Sequence, residues 1–289
     1  MSENILIPRM AIIGVGLIGG SLALALKEAG AVGEVVGCGR GRPNLEKALE
    51  LGIVDRYTRD PYEAVRDADL VFLATPVKTL AAVVKQCLPA LKAGAIITDG
   101  GSVKADVITS IEPLLPDSIH FVPGHPIAGT EQSGAEAAFP TLYRGKRCIL
   151  TPTDKTDKQA LALVEQMWTI AGSAVVKMPM EKHDRVLAAI SHLPHMVAYS
   201  LVNAVGSYDH YEENILEYSA GGFRDFTRIA SSDPTMWRDI AETNRDALLE
   251  MMEQFEQFFA ELKADIAAGD GEKLFEFFLR SKQLRDTIL

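Results

Sequence analysis

Through the first 178 positions, short runs of apolar residues alternate with segments in which apolar residues recur every three or four positions. The runs at 10–13, 34–38, 70–74, 95–99, 120–123 and 147–151 predict strands. The periodic segments at 21–29, 44–51, 77–91 and 103–114 predict helices between them, and a helix at 157–170 with a strand at 174–177 completes the set. Leu70-Val71-Phe72-Leu73-Ala74 is apolar at every position, as expected of a parallel strand covered on both faces. Alternation of this kind predicts a doubly wound, mainly parallel sheet, whose ligand lies at the carboxyl ends of the strands. Thr75-Pro76, Gly100-Gly101-Ser102 and Gly124-His125-Pro126 all fall at such ends. From Glu181 onward strand patterns vanish and long helical periodicities take over, notably 236–262 and 272–284. Two domains follow: α/β over residues 1–178 and all-α over 179–289. The stripe Met251, Met252, Phe255, Phe258, Phe259 reads as core or subunit interface.

The first strand runs into Gly14-Val15-Gly16-Leu17-Ile18-Gly19-Gly20-Ser21, a G-x-G-x-x-G spacing between strand and helix. Gly14 allows the tight turn, Gly16 lets the backbone approach a pyrophosphate, and Gly19 lets helix pack on strand. With Leu17 and Ile18 between them, these residues place a pyrophosphate at a helix N-terminus, where free N–H groups and the dipole favour anions. The sheet is therefore expected to be Rossmann-type and to bind a nicotinamide or flavin dinucleotide. Segment 10–26 also has the look of a signal-peptide core or membrane span. Four glycines, a length short of about 20 apolar residues and the absence of a cleavage site before Lys27 argue against both. The expectation is a soluble, cytoplasmic protein.

In an NAD-specific site an acid usually ends the second strand. Here Val35-Val36-Gly37-Cys38 leads to Gly39, then Arg40 and Arg42. A missing carboxylate removes repulsion against a 2′-phosphate, and guanidinium groups can bind that phosphate. The sequence thus favours NADP over NAD, against the plainer reading of two arginines in a solvated loop.

Composition narrows the partners. The chain has 289 residues, 47% of them hydrophobic, and a net charge of -10, which argues against nucleic acid. Cys38, Cys87 and Cys148 have no metal-binding or C-x-x-C spacing and read as buried thiols. No metal is expected.

Three islands carry candidate chemistry. Gly124-His125-Pro126 opens GHPIAGTEQSG, with a histidine placed beside a nicotinamide rather than in a core. Ser191-His192-Leu193-Pro194-His195 sets two imidazoles three residues apart on one helix face. Gly221-Gly222-Phe223-Arg224-Asp225-Phe226-Thr227-Arg228, followed by Trp237-Arg238, concentrates cations in an acidic protein and suggests an anionic substrate.

With GVGLIGGS, DGGSVK, GHPIAGTEQSG, ILTPT, SHLPH and GGFRDFTRIASSDPTMWRDI, the chain resembles the prephenate/arogenate (cyclohexadienyl) dehydrogenase family of tyrosine biosynthesis over nearly its whole length. The departure is Gly39-Arg40, where many relatives carry an acid. The resemblance implies oxidative decarboxylation of prephenate or arogenate, with hydride transfer to NAD or NADP and no metal. The apolar stripe from Met251 to Phe259 and the amphipathic tail at 274–284 exceed what one small helical domain needs and predict a homodimer joined through it, and neither a chorismate mutase module nor an ACT-type domain is expected. The resemblance gives His125 the role of proton acceptor for the substrate hydroxyl, and Ser102 that of assisting at the hydroxyl and nicotinamide. Arg228 is implied as the carboxylate anchor and His195 as a side-chain contact, with Thr130 and Glu131 at the entrance. His192, Arg224 and Trp237 are implied as supporting positions. Thr75 and Pro76 join the glycine loop in the expected cofactor crevice.

Two other readings remain in view. A β-hydroxyacid dehydrogenase or imine reductase also joins such a sheet to an all-α domain, but it typically sets a lysine where this chain has SHLPH. A non-catalytic dinucleotide-binding protein explains the glycines and gives no reason for His125, His195 and Arg228.

Overall fold

The computed structural model describes residues 5–208 and 215–288. Among these, β1 (Ile7–Ile13), α1 (Leu17–Glu28), β2 (Val32–Cys38), α2 (Arg42–Glu50), β3 (Arg56–Thr58), α3 (Pro61–Val65), β4 (Leu70–Leu73), α4 (Leu80–Cys87), β5 (Ile96–Asp99), α5 (Ala105–Ile111) and β6 (His120–Val122) follow in order. The strands form one parallel sheet, β3-β2-β1-β4-β5-β6. The order reverses direction at β1 and β4, so the crevice of such a sheet opens at their carboxyl ends. Apolar residues cover both faces. Leu22, Leu26, Phe72 and Trp168 pack on one side, and Val71, Leu80, Val84 and Ile108 on the other. This double burial is why β1 and β4 are apolar almost throughout.

The predicted strand 120–123 is shorter than expected. Pro123 cannot donate to the ladder, and Gly124 N instead donates to the Asp99 carboxylate at 3.1 Å. The chain thereby turns into β7 (Gly124–Pro126), which founds a second sheet with β8 (Arg147–Leu150) and β9 (Ala174–Lys177). Its order is β7-β8-β9, antiparallel and then parallel. The strands expected at 147–151 and 174–177 therefore form this smaller sheet rather than extending the main one. Between β8 and β9, α6 (Lys158–Ile170) starts where the Asp157 side chain accepts from Gln159 N and Ala160 N, a standard N-cap. Helix α1 starts at Leu17 rather than 21, because Gly16 is already the extended capping residue. The helix expected at 77–91 is bounded by tight turns at Val77–Thr79 and Leu88–Ala90.

Beyond β9 the structure is helical. Helix α7 (Met180–Leu187) passes through a wide π turn (Ala188–His192) into α8 (Leu193–Tyr208), and α9 (Gly221–Thr227), α10 (Pro234–Thr243), α11 (Arg245–Ala268) and α12 (Gly271–Asp286) follow. The single helix expected over 236–262 is two helices broken at Asn244, whose backbone leaves the helical region (φ −109°, ψ 34°). Its side chain is occupied elsewhere, with the amide donating to Asp184 O at 2.9 Å.

The methionine–phenylalanine stripe is not the core of this subunit. Phe255, Phe258 and Phe259 on α11, and Phe275 and Phe278 on α12, stand exposed. No helix among the described residues is long and apolar enough to cross a membrane.

Candidate active site

The dinucleotide crevice is shaped by what its glycines exclude. Gly14 has φ +103°, and a Cβ there would lie 2.4 Å from Ala74 O. A Cβ on Gly19 would lie 2.3 Å from Gly14 O, whereas the space before Gly16 is open, with Gly134 N the nearest atom at 4.0 Å. Helix α1 has no side-chain cap and no acid in its first turn, which leaves its leading amides available to an anion. Leu17 is buried. Ile18 uses its carbonyl to accept from Tyr143 Oη at 2.6 Å. Thr75 and Pro76 continue from β4, and Thr75 Cγ2 lies against the Gly14 turn. These features fit the pyrophosphate and nicotinamide halves of a dinucleotide.

At the far end of the crevice, Gly39 follows β2, and Arg40 and Arg42 are exposed. Arg42 reaches Glu46 at 2.8 Å across one helical turn, a weak surface pair that an anionic ligand can displace. Asn44 ties this region together: its amide donates to Val15 O at 2.7 Å, and its oxygen accepts from Ala135 N at 2.8 Å.

His125 is not on an open strand end. It lies in β7 and is buried. Its Nδ1 is 2.8 Å from Nε2 of His183, whose Nδ1 is 2.8 Å from Oδ1 of Asp184. Burial pulls His125 well below the ordinary imidazole range, and His183, Lys104 and His192 add to the effect, so its ring is neutral. Beneath it, Lys104 and Asp99 form a fully buried ion pair. The Lys104 ammonium also donates to Gly124 O at 2.8 Å, and Asp99 accepts from Gly101 N at 2.9 Å. One buried pair therefore clamps the glycine turn carrying Ser102 to the strand carrying His125. Ser102 itself is half-buried.

The π turn puts His192 and His195 on the same side, and both meet Trp237. His195 stacks on the indole at 3.7 Å between centroids, and His192 meets it edge-on at 6.0 Å. His192 is buried and accepts from the Asn244 amide through Nδ1 at 3.0 Å, and burial lowers it to about 4. Among the described residues, its Nε2 and the Trp237 Nε1 have no hydrogen-bond partner. His195 is half-buried, with Nδ1 2.8 Å from Ser191 O. Trp237 packs with Val103, next to Ser102, and with Ile240, so the helical domain reaches the sheet's carboxyl edge.

Arg228 and Glu131 form an ion pair that joins the GHPIAGTEQSG loop to the turn after α9. Arg228, Thr130 and Glu131 are exposed, and Thr130 Oγ1 accepts from Gln132 N at 3.2 Å. Arg224 lies on α9, with Nε 3.5 Å from Ser219 Oγ.

Reading the sequence singled out neither His183 and Asp184 nor Asn244. In Met180-Glu181-Lys182-His183-Asp184-Arg185-Val186-Leu187 the polar residues look like an exposed helix start. The available signal was spacing: His183 and Asp184 precede Leu187 by four and three positions, on the apolar face.

A glycine-loop parallel sheet joined to a helical domain, with a buried neutral imidazole at the junction, defines a two-domain dehydrogenase that uses a nicotinamide dinucleotide. Known proteins agree. The family model for the nucleotide-binding domain of prephenate dehydrogenase matches residues 22–177, and that for its dimerization domain matches 179–280. A cyclohexadienyl dehydrogenase of Zymomonas mobilis is 42% identical over 277 residues, covering 96% of this chain and 94% of that one. The crystal structure of Aquifex aeolicus prephenate dehydrogenase with hydroxyphenyl propionate and NAD+ superposes with TM-score 0.92 at 39% identity over the full length of both chains. Synechocystis arogenate dehydrogenase gives 0.80 at 29% identity, over 97% of this chain and 100% of that one. The chain belongs to the prephenate dehydrogenase family.

Proposed function

We propose that the chain oxidatively decarboxylates prephenate, arogenate or both, giving 4-hydroxyphenylpyruvate or tyrosine. The observation that carries this reading is His125, a neutral imidazole buried at the sheet's carboxyl edge, on a strand whose following loop holds Glu131 in an ion pair with Arg228. The bound nicotinamide supplies the acceptor for the hydride leaving C4. The chain's own residues do the rest. His125 accepts the C4 hydroxyl proton, and Ser102 holds that hydroxyl. Loss of the ring carboxylate as CO2 restores aromaticity, which drives the step without a metal or a covalent nucleophile.

Arg228 anchors a substrate carboxylate, which exchanges for Glu131, with Thr130 beside it at the entrance. His195, stacked on Trp237, contacts the substrate side chain, and His192 supports it from the core. Burial around His125 and Trp237 keeps water from the reacting carbon.

Gly39, Arg40 and Arg42 support a preference for NADP over NAD, because no carboxylate of this turn opposes a 2′-phosphate. The exposed phenylalanines of α11 and α12 support a homodimer formed through the helical domain. This division gives residues 1–178 to the dinucleotide and 179–289 to the subunit contact. Three buried free thiols fit a reducing, cytoplasmic setting.

The test is turnover of purified protein with prephenate and with arogenate, each with NAD and NADP. Reduced nicotinamide appearing in step with the aromatic product is expected. No turnover in any of the four combinations contradicts the reading.

A further inference from the structure

The row Asp184–His183–His125 has a direction that its own chemistry fixes. Asp184 accepts from the Lys104 and Ala105 amides at 2.8 Å each. Burial raises its carboxyl, but hydrogen bonds from His183 and these amides outweigh that and hold it below the ordinary carboxylate range. An ionised carboxylate only accepts. His183, neutral because burial lowers it more than Asp184 raises it, must therefore carry its proton on Nδ1. Its Nε2 is then an acceptor, so His125 donates from Nδ1 and keeps Nε2 free of a proton.

We propose that His183 and Asp184 are positioning residues that lock His125 in the Nδ1–H tautomer, aim its unprotonated Nε2 at the substrate hydroxyl, and stabilise the imidazolium formed there. This rests on the reading of His125 as proton acceptor. In the step itself the substrate O–H bond breaks and an Nε2–H bond forms. The Nδ1 proton stays on His125, hydrogen-bonded to His183. The new positive charge lies one ring away from the Asp184 anion, and once CO2 has left, the Nε2 proton returns to the phenolate oxygen, giving the phenol and neutral His125.

The other charges around the row do not compete for this role. Lys104 and Asp99, from β5 and the turn after it, neutralise each other. His192, on the π turn, has its Nδ1 occupied by Asn244. Asp106 on α5 lies near both Asp184 and Lys78, and Lys78 pairs with Glu242 of α10.

Asp184→Asn is the decisive substitution. Oδ1 of Asp184 serves both the Lys104 amide and His183 Nδ1, and Oδ2 serves the Ala105 amide, so the single oxygen of asparagine takes the Oδ1 place and its NH2 faces Ala105 N. His183 keeps its proton on Nδ1 and His125 its free Nε2, but the anion that stabilises the imidazolium is gone. Turnover is expected to fall about tenfold to a hundredfold, the worth of one charged hydrogen bond, while KM and dinucleotide affinity change less than about threefold. The low-pH limb of kcat should move to lower pH, because the imidazolium loses its carboxylate. A merely structural role would leave that limb in place.

A second readout is taken on the wild type and needs no turnover. Ring-nitrogen NMR of the dinucleotide-free wild type, with signals assigned by their loss in His125→Asn and His183→Gln, should show both imidazoles protonated at Nδ1. An Nε2–H form of either ring, or an unmoved limb with unchanged kcat in Asp184→Asn, overturns the proposal. If the wild type turns over neither substrate, the proposed function fails, and the tautomers still decide the row.

Discussion

The two ends of the candidate site are built to opposite standards. At the sheet end His125 is buried, touched by His183, and set in a strand clamped by a fully buried Lys104–Asp99 pair. At the mouth Arg228 is exposed and pairs with Glu131. The difference follows from the two tasks. Proton transfer needs a base fixed within hydrogen-bond reach and tuned by its surroundings. Carboxylate capture needs a cation that can exchange a weak partner for a better one. Rigidity sits where chemistry is proposed, and exchangeability where the substrate enters.

The comparison can be broken from either end. The largest effect is expected from His125→Asn, which keeps a hydrogen-bonding group but removes the base. Steady-state kinetics should show kcat down roughly 10²–10⁴-fold with KM little changed. Arg228→Ala should do the reverse, raising KM about tenfold to a hundredfold through loss of a charged hydrogen bond worth about 1.5–3 kcal/mol, with a smaller effect on kcat. Equal effects on both constants in both variants would erase the distinction.

Gly39→Asp probes the far end of the crevice. A Cβ there meets only Leu45, at ordinary van der Waals distance of 3.5 Å, so the change adds charge without a clash. The ratio of kcat/KM for NADP over NAD should fall by roughly tenfold or more. An unchanged ratio would remove Arg40 and Arg42 from the argument.

The mildest effect concerns acid stability. His192 is lowered to about 4 by burial, against about 6.5 in an unfolded chain. The unfolded chain therefore binds a proton that the folded one refuses. His192 thus contributes stability that is complete above about pH 6.5 and is lost as pH falls towards 4. The unfolding free energy from urea titration should drop over that interval, by on the order of 1–3 kcal/mol for this one group, and His192→Gln should flatten the slope. A slope unaffected by the substitution would mean that other groups set it.

What could be read from the chain divides along the same line. The glycine loop and strands such as Leu70–Leu73 announce themselves, because a doubly covered sheet demands continuous apolar runs and a dinucleotide turn demands glycine. The helical second half was equally plain. The second sheet was hidden, since β7 is three residues containing glycine and proline, and it exists because Asp99 captures the Gly124 amide. The break at Asn244 was hidden for a related reason. Its side chain serves Asp184 and His192, distant in sequence, while the helical periodicity continues on both sides. His125, Ser102, His195 and Arg228 stood out as motif residues at strand or helix ends. His183 and Asp184 did not, because a buried polar row depends on which helix face turns inward.

The most direct test of the buried-base claim is the pH dependence of kcat in wild type and in His125→Asn. The wild type should lose activity on acidification through a single limb lying well below the ordinary histidine range, since burial lowers His125, and the limb should be absent from the residual activity of the variant. A limb at or above about pH 6.5, or one that survives the substitution unchanged, would show that the group titrating in catalysis is not His125.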